Sequence, residues 1–384
     1  MKKVLFASTA LVAAGLMTAS GASASEKIKL NLGGYSKWWV VGAWQDDGFS
    51  KSNGGGAGTD YANVDVKGDN EIFFGGETKL DNGMTVGVMV ELEAGGDVAG
   101  NPAGSDRIDK SYAYVETAYG KVIIGSEANG TALLHVMAPD AAGNTDSDGL
   151  LTGGFAIQSP GINSKVSTAI DTDGEAEKIT YVAPTFYGLT VGGTYIPNAG
   201  SEDNRGVVTA GETYGVGALY ANTFGGVGVK VSAGFVTYDI AATTENTNEY
   251  SAGTQLSYNG FTLGGSYRQI VEDKKGNIMP AGNSVANTNT SNDGRVWDIG
   301  LQYASGPWAV SAVYFNSKIQ DGIATGQDEF TVYQVSGKYT LGAGVDALAT
   351  IGHAEYDDET QERAGGDANH NKGWAVMTGL GLTF

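Results

Sequence analysis

The chain has 384 residues, 23 basic against 43 acidic, no cysteine, and 60 glycines, about twice the usual share. The glycines follow no fixed period, so collagen is excluded, and the absence of cysteine excludes disulfides and thiolate metal sites. A net charge of −20 disfavours DNA, RNA and anionic head groups as partners and favours cations.

The chain opens with Lys2 and Lys3, then an apolar run from Val4 to Met17 that is too short to span a bilayer, then Ala22-Ser23-Ala24. These three parts make a secretory signal peptide over 1–24, with cleavage expected after Ala24 and a mature chain over 25–384. Losing the two lysines takes the net charge to −22. An exported chain of this size without disulfides must be held by a large core or a closed sheet. Beyond the leader no apolar run is long enough for a membrane helix, which leaves barrels open because their strands alternate.

The mature chain is a series of short alternating segments joined by two kinds of turn. One kind is tight: Asp81-Asn82-Gly83, Ala118-Tyr119-Gly120, Phe186-Tyr187-Gly188, Phe224-Gly225-Gly226, Asn259-Gly260, Ser305-Gly306-Pro307 and Leu341-Gly342-Ala343-Gly344. Glycine and asparagine accept the positive φ that tight hairpins need. The other kind is long, polar and acidic, at about 45–68, 95–106, 127–176, 198–212, 239–249, 272–293, 319–328 and 357–371. Strict alternation of the two kinds predicts sixteen antiparallel strands, with every tight turn at one end. A soluble sandwich has no reason for that asymmetry; a transmembrane barrel with short periplasmic turns and long outer loops does. Aromatics crowd the tight turns, including Tyr119, Phe186, Tyr187, Tyr303, Trp308 and the final Phe384, as in an interfacial girdle.

Along single strands the faces separate. Val86, Val88, Val90 and Leu92 oppose Thr85, Gly87, Glu91 and Glu93; Val227, Val229, Val231 and Phe235 oppose Gly228, Lys230, Ser232 and Gly234. The closing stretch puts Trp374, Val376, Thr378, Leu380, Leu382 and Phe384 on one parity. The apolar face is expected to meet lipid and the polar face a wet lumen; a soluble barrel would reverse this.

Leu30-Asn31-Leu32-Gly33-Gly34-Tyr35, Tyr119-Gly120-Lys121-Val122-Ile123-Ile124-Gly125-Ser126-Glu127, the hairpin Lys178 to Leu189 with its Pro184-Thr185-Phe186-Tyr187-Gly188, and the terminal Phe384 together resemble the general porins of Gram-negative bacteria, of the alphaproteobacterial type. The resemblance covers the whole mature chain. It implies an all-β, 16-stranded barrel in the outer membrane, a homotrimer, passive diffusion of ions and small hydrophilic solutes, and a third outer loop folded into the lumen. That loop is by far the longest here, which is itself a mark of function. It carries an apolar stretch, Thr131–Met137, suited to a short helix or an inserted segment, and the carboxylates Asp140, Asp146, Asp148, Asp171 and Asp173.

Sieving needs a constriction and charges that set a field across it. The acidic loop residues are the expected constriction. Porins of this family set a basic wall opposite; the candidates are Lys37, Lys79, Lys110 and Lys121, with Arg268 and Lys230 also on the lumen parity and Arg107 less certainly placed. Each also suits an ordinary solvated lysine or arginine. The wall is lysine-rich where the family's is often arginine-rich, and Glu91 and Glu93 share the lumen face, so a modest cation preference is expected.

No catalytic pattern is present: the three histidines, His135, His353 and His370, are far apart, and neither Gly-x-Ser-x-Gly nor a phosphate loop occurs. Asn144 to Gly149 opens like an EF-hand loop, but Phe155 stands where the bidentate glutamate belongs. No cofactor is required; incidental Ca2+ on the acidic loops is the one metal expectation. The competing readings are a solute-selective channel of the same fold, which a charged or aromatic track along one wall would mark, and a secreted glycine-rich structural or adhesive protein, which would lack the turn alternation.

Overall fold

The computed structural model describes residues 27–47, 49, 63–95, 108–147, 149–174, 176–199, 211–238, 246–272, 293–320, 326–359 and 369–384. The expected signal peptide over 1–24, Arg107 and Asp148 lie outside the described residues.

Sixteen strands form one closed antiparallel barrel in which each strand pairs with its sequence neighbours and the first closes on the last. In order they are β1 Asn31–Gln45, β2 Val64–Lys79, β3 Thr85–Glu93, β4 Ile108–Thr117, β5 Gly120–Ser126, β6 Lys178–Val182, β7 Leu189–Ile196 and β8 Thr213–Phe224. There follow β9 Val227–Tyr238, β10 Thr247–Tyr258, β11 Phe261–Glu272, β12 Gly294–Ser305, β13 Trp308–Gln320, β14 Gln327–Gly342, β15 Val345–Asp357 and β16 Asn371–Thr383. All seven tight turns fall where the sequence puts them. Positive φ at Asn259 (47°) and Gly260 (85°) gives the β10–β11 turn the twist that matches its flanking strands. The barrel closes with Trp38 opposite Leu380 and Trp44 opposite Trp374. At its lower edge Gly34 and Phe384 exchange main-chain hydrogen bonds of 3.0 and 3.1 Å.

The outer surface is apolar. Val40, Val231, Leu263, Val335, Ile351 and Leu380 all point outward and are exposed. The tight-turn aromatics form one girdle, with Tyr119, Phe186 and Tyr187 more than 70% exposed. A second set lies across neighbouring strands at the other end, where Tyr314, Tyr333, His353, Trp374 and Trp44 are successive cross-strand partners. Phe384, one residue past β16, lies ten positions along the chain from Trp374. At about 3.3 Å per residue and a tilt of about 40°, they stand roughly 25 Å apart, the height of an outer-membrane apolar band.

The inner face differs from expectation over part of the barrel. Facing inward from β13–β16 and β1 are Phe315, Phe330, Val332, Tyr356, Met377 and Trp39, all buried, so this arc is apolar on both faces. The cause is a second layer inside the barrel. Leu150, Leu151 and Ile157 of the third loop pack into the same cluster, and Phe330 stacks on Tyr356 at 4.3 Å.

Candidate pore constriction

The third loop, 127–177, lies within the barrel and runs along its wall. It begins with a single helical turn, α1 Gly130–Leu133, which starts one residue before the Thr131–Met137 stretch that the sequence marked for a helix or insertion and covers its first three residues. Asn129 caps this turn by accepting from the Thr131 and Ala132 amides at 2.9 and 3.1 Å. The same side chain donates to the Ile170 carbonyl (2.7 Å) and to Asp173 (2.6 Å), which ties the start of the loop to its end.

The outgoing limb is hung on side chains of successive strands. The Val136 amide donates to Ser232 of β9, Ala138 to Asp298 of β12 and Ala141 to Ser311 of β13, at 2.9–3.0 Å. Asn144 then donates to Thr350 of β15 (2.9 Å), and the Gln158 amide to Gln45 of β1 (2.8 Å). The limb lies close because the wall beneath it is glycine. A side-chain carbon on Gly253 would overlap the Val136 carbonyl, and one on Gly352 the Leu151 methyl. One on Gly234 would lie 3.0 Å from Thr131 Cβ, and one on Gly300 3.1 Å from Ala138 Cβ. Part of the unusual glycine content is thus the seat of this loop.

The return limb is clamped by charge. Arg268 of β11 is fully buried and donates to Glu249 (2.7 Å), Asp171 (2.8 Å), Thr172 (2.6 Å) and the carbonyls of Ser167 and Ala169. Lys178, at the start of β6, pairs with Asp173 at 3.0 Å and donates to the carbonyls of Glu127 and Gly174. His135, within the loop, is drawn down to about 4 by burial, with Arg268 adding to the effect, so it is neutral at pH 7.

The expected site residues therefore divide. Asp140 accepts five hydrogen bonds, among them from Ser311 (3.1 Å) and Gln334 (2.6 Å) of the wall, and shapes the loop. Asp171 and Asp173 belong to the clamps. Asp146 is half-buried; burial pushes its carboxyl above the usual range, while the Lys37 charge acts to lower it. On the wall, Arg268 is a buried clamp and presents no guanidinium to open lumen. Lys37 pairs with Asp69 and Lys110 with Glu91, each at 2.8 Å. Lys121 sits 3.9 Å over the Tyr114 ring, one residue from the tight turn, and Lys79 is exposed beside the turn below β2. Lys37 and Lys110 lie higher on the wall, and Lys79 and Lys121 stand at the periplasmic rim.

The sequence reading missed how acidic this wall is. Tyr35 donates to both Asp69 and Glu71 at 2.8 Å, and Tyr114 donates to Glu77 at 2.6 Å. A register shift between β3 and β4 pairs Glu91 with Lys110 but Leu92 with Ile108, leaving Asp109 as an extra residue. Asp109, Glu71 and Glu93 thereby bring carboxylate oxygens within 4.8 Å of one another. Alternation gave the inward parity of Glu91 and Glu93; Glu71 was not singled out, and nothing in the sequence marks the bulge that adds Asp109.

The Gram-negative porin profile matches residues 7–359. The chain belongs to the Gram-negative porin family. The porin is also 34% identical over 126 residues to the major outer membrane protein of Pasteurella multocida, covering 30% of this chain and 33% of that protein, so it spans about a third of the relative's length. Among solved structures, a porin refined at 1.8 Å resolution superposes with a TM-score of 0.59 at 14% identity, over 93% of this chain and all of the other. A triple mutant of the Rhodopseudomonas blastica porin gives 0.58 at 14% identity with the same coverage. At that identity these two show the fold, and the family places the porin in the bacterial outer membrane.

Proposed function

We propose that this porin is a homotrimeric, water-filled channel through which ions and small hydrophilic solutes diffuse passively, with a preference for cations. The observation that carries this reading is the third loop held inside the barrel along its wall, which narrows a lumen without plugging it with a separate domain. The loop hangs from β7–β16 and β1, so the lumen is left to the charged wall of β2–β5. Diffusion through such a lumen needs no nucleophile, and its selectivity follows from width and charge. The acidic net charge of −20 supports the cation preference. The homotrimer rests on the family.

Swelling of liposomes loaded with the porin tests this directly. The swelling rate should fall smoothly as the external sugar grows and should not saturate with concentration. A rate that saturates for one sugar would favour the solute-selective channel instead. Cross-linking in mild detergent should give a ladder ending at three subunits.

A further inference from the structure

One imidazole joins the two limbs of the third loop. Nε2 of His135, on the outgoing limb, lies 3.1 Å from the hydroxyl of Thr168 on the return limb. Thr168 is fully buried, lies 2.6 Å from the Ser266 hydroxyl of β11 and donates to Asp298 of β12 at 3.1 Å. The Ser266 hydroxyl and the Ala138 amide donate to the same carboxylate, at 2.6 and 3.0 Å. With the single Thr168 proton on Asp298, His135 donates from Nε2 and Nδ1 is the bare nitrogen. That Nδ1 is inaccessible to solvent and has no hydrogen-bond partner among the described residues.

We propose that His135 is an acid-sensitive latch of the third loop: the neutral imidazole holds the two limbs together against the wall, and the imidazolium releases them into the lumen and closes the channel. The inference rests on the channel reading above and adds a regulation to it. An imidazolium carries a second N–H at Nδ1, where nothing accepts it, and a buried donor without a partner is costly. The Arg268 charge of β11 acts against a second cation here, and the Asp171 charge of the return limb acts for one. Asp171 is already paired with Arg268, as is Glu249 of β10. Asp298 of β12 accepts from Ala138, Thr168 and Ser266, and Asp146 lies beyond Ser167 on the loop itself. Released from the wall, the loop has only the open β2–β5 side of the lumen to move into, since its seat fills the rest. The sign follows from linkage. Solvated, His135 titrates near its ordinary 6.5; docked, it is drawn down to about 4. The docked state is therefore at full strength above pH 6.5 and loses about tenfold against the released state for each unit of pH between those values.

The test is the ratio of closed to open time of single channels in symmetric KCl at one holding potential, stepped from pH 7 to pH 4.5, for the wild type and for H135Q. Glutamine can still donate to Thr168 and does not titrate. The wild-type ratio should rise by roughly 50-fold over that range and return when the pH is restored, while H135Q should change by no more than a few-fold. The readout is the slope with pH and not the level, so a variant loop that is looser at every pH does not imitate the effect. The carboxylates Asp146, Asp171, Glu249 and Asp298 are present in both proteins, and any acid response of theirs is common to both profiles. Should H135Q fail to assemble, H135F, which also cannot titrate, carries the same comparison. A flat wild-type profile, or a variant profile as steep as the wild type, would overturn the latch. A wild-type protein that gives no channels at pH 7 would instead remove the reading on which it rests, and is seen before any acid step.

Discussion

Arg268 of β11 and Glu249 of β10 form an ion pair of 2.7 Å beneath the third loop, and both side chains are essentially inaccessible. Such a pair is costly to desolvate and costlier to break, since removing one partner strands the other. Arg268→Met leaves Glu249 buried without its cation and releases Asp171 together with the Ser167 and Ala169 carbonyls. The barrel should lose about 3–5 kcal/mol, read as a lower temperature for the heat-induced gel shift. Single channels of the variant should also flicker, because the return limb has lost its clamp. An unchanged shift temperature with quiet channels would show that the clamp is dispensable.

The Gly253–Val136 contact predicts a steric effect of opposite character. Valine at Gly253 has no room unless the loop leaves the wall. Gly253→Val should push Val136 toward the channel axis and reduce single-channel conductance while the barrel still assembles. Gly337, also in a strand but with nothing closer than 3.9 Å to an added carbon, serves as the control, and Gly337→Ala should leave conductance unchanged.

The apolar cluster inside the barrel predicts a stability effect with a channel readout. Phe330 is fully buried between Phe315 and Tyr356 and packs under the loop. Phe330→Ala should cost about 3–5 kcal/mol through lost burial and the cavity left behind. Val335 on the outer face of the same strand touches lipid, and Val335→Ala should cost much less. Equal losses at the two positions would mean that the inner cluster does not hold the loop.

Asp140 predicts a change in loop shape. Its carboxylate accepts from two amides, two hydroxyls and the Gln334 amide group. Asp140→Ala strands these donors at about 1–3 kcal/mol for each one left buried without a partner. Protease cleavage in the third loop of the folded barrel should become faster, and resistance equal to wild type would contradict this role.

The strand plan was legible because period-two alternation and turn chemistry are local. Asn259-Gly260 reads as a tight turn in any context, and Val227 to Phe235 reads as a two-faced strand. The inner apolar arc was less legible, although its signal exists. Phe315, Ile319, Phe330 and Val332 put apolar side chains on the inward parity of the outer halves of β13 and β14, while Asn316, Lys318, Glu329 and Thr331 hold the other parity. The glycine seat was invisible as such, since Gly234, Gly253 and Gly300 line up only once the registers are known. The roles of the loop carboxylates were the least legible. Asp140, Asp171 and Asp173 look alike in sequence, and only long-range contacts to Ser311, Arg268 and Lys178 separate them. The bulge at Asp109 is likewise set by pairing between strands and not by any local residue preference.

The most direct test of the account is single-channel current from the purified porin in a planar bilayer under a KCl gradient. The account predicts conductance steps that arrive in groups of three and a reversal potential of the sign set by cation flow. Folded protein that inserts and gives no steps would contradict the channel itself, and steps with a reversal potential set by anion flow would contradict the cation preference.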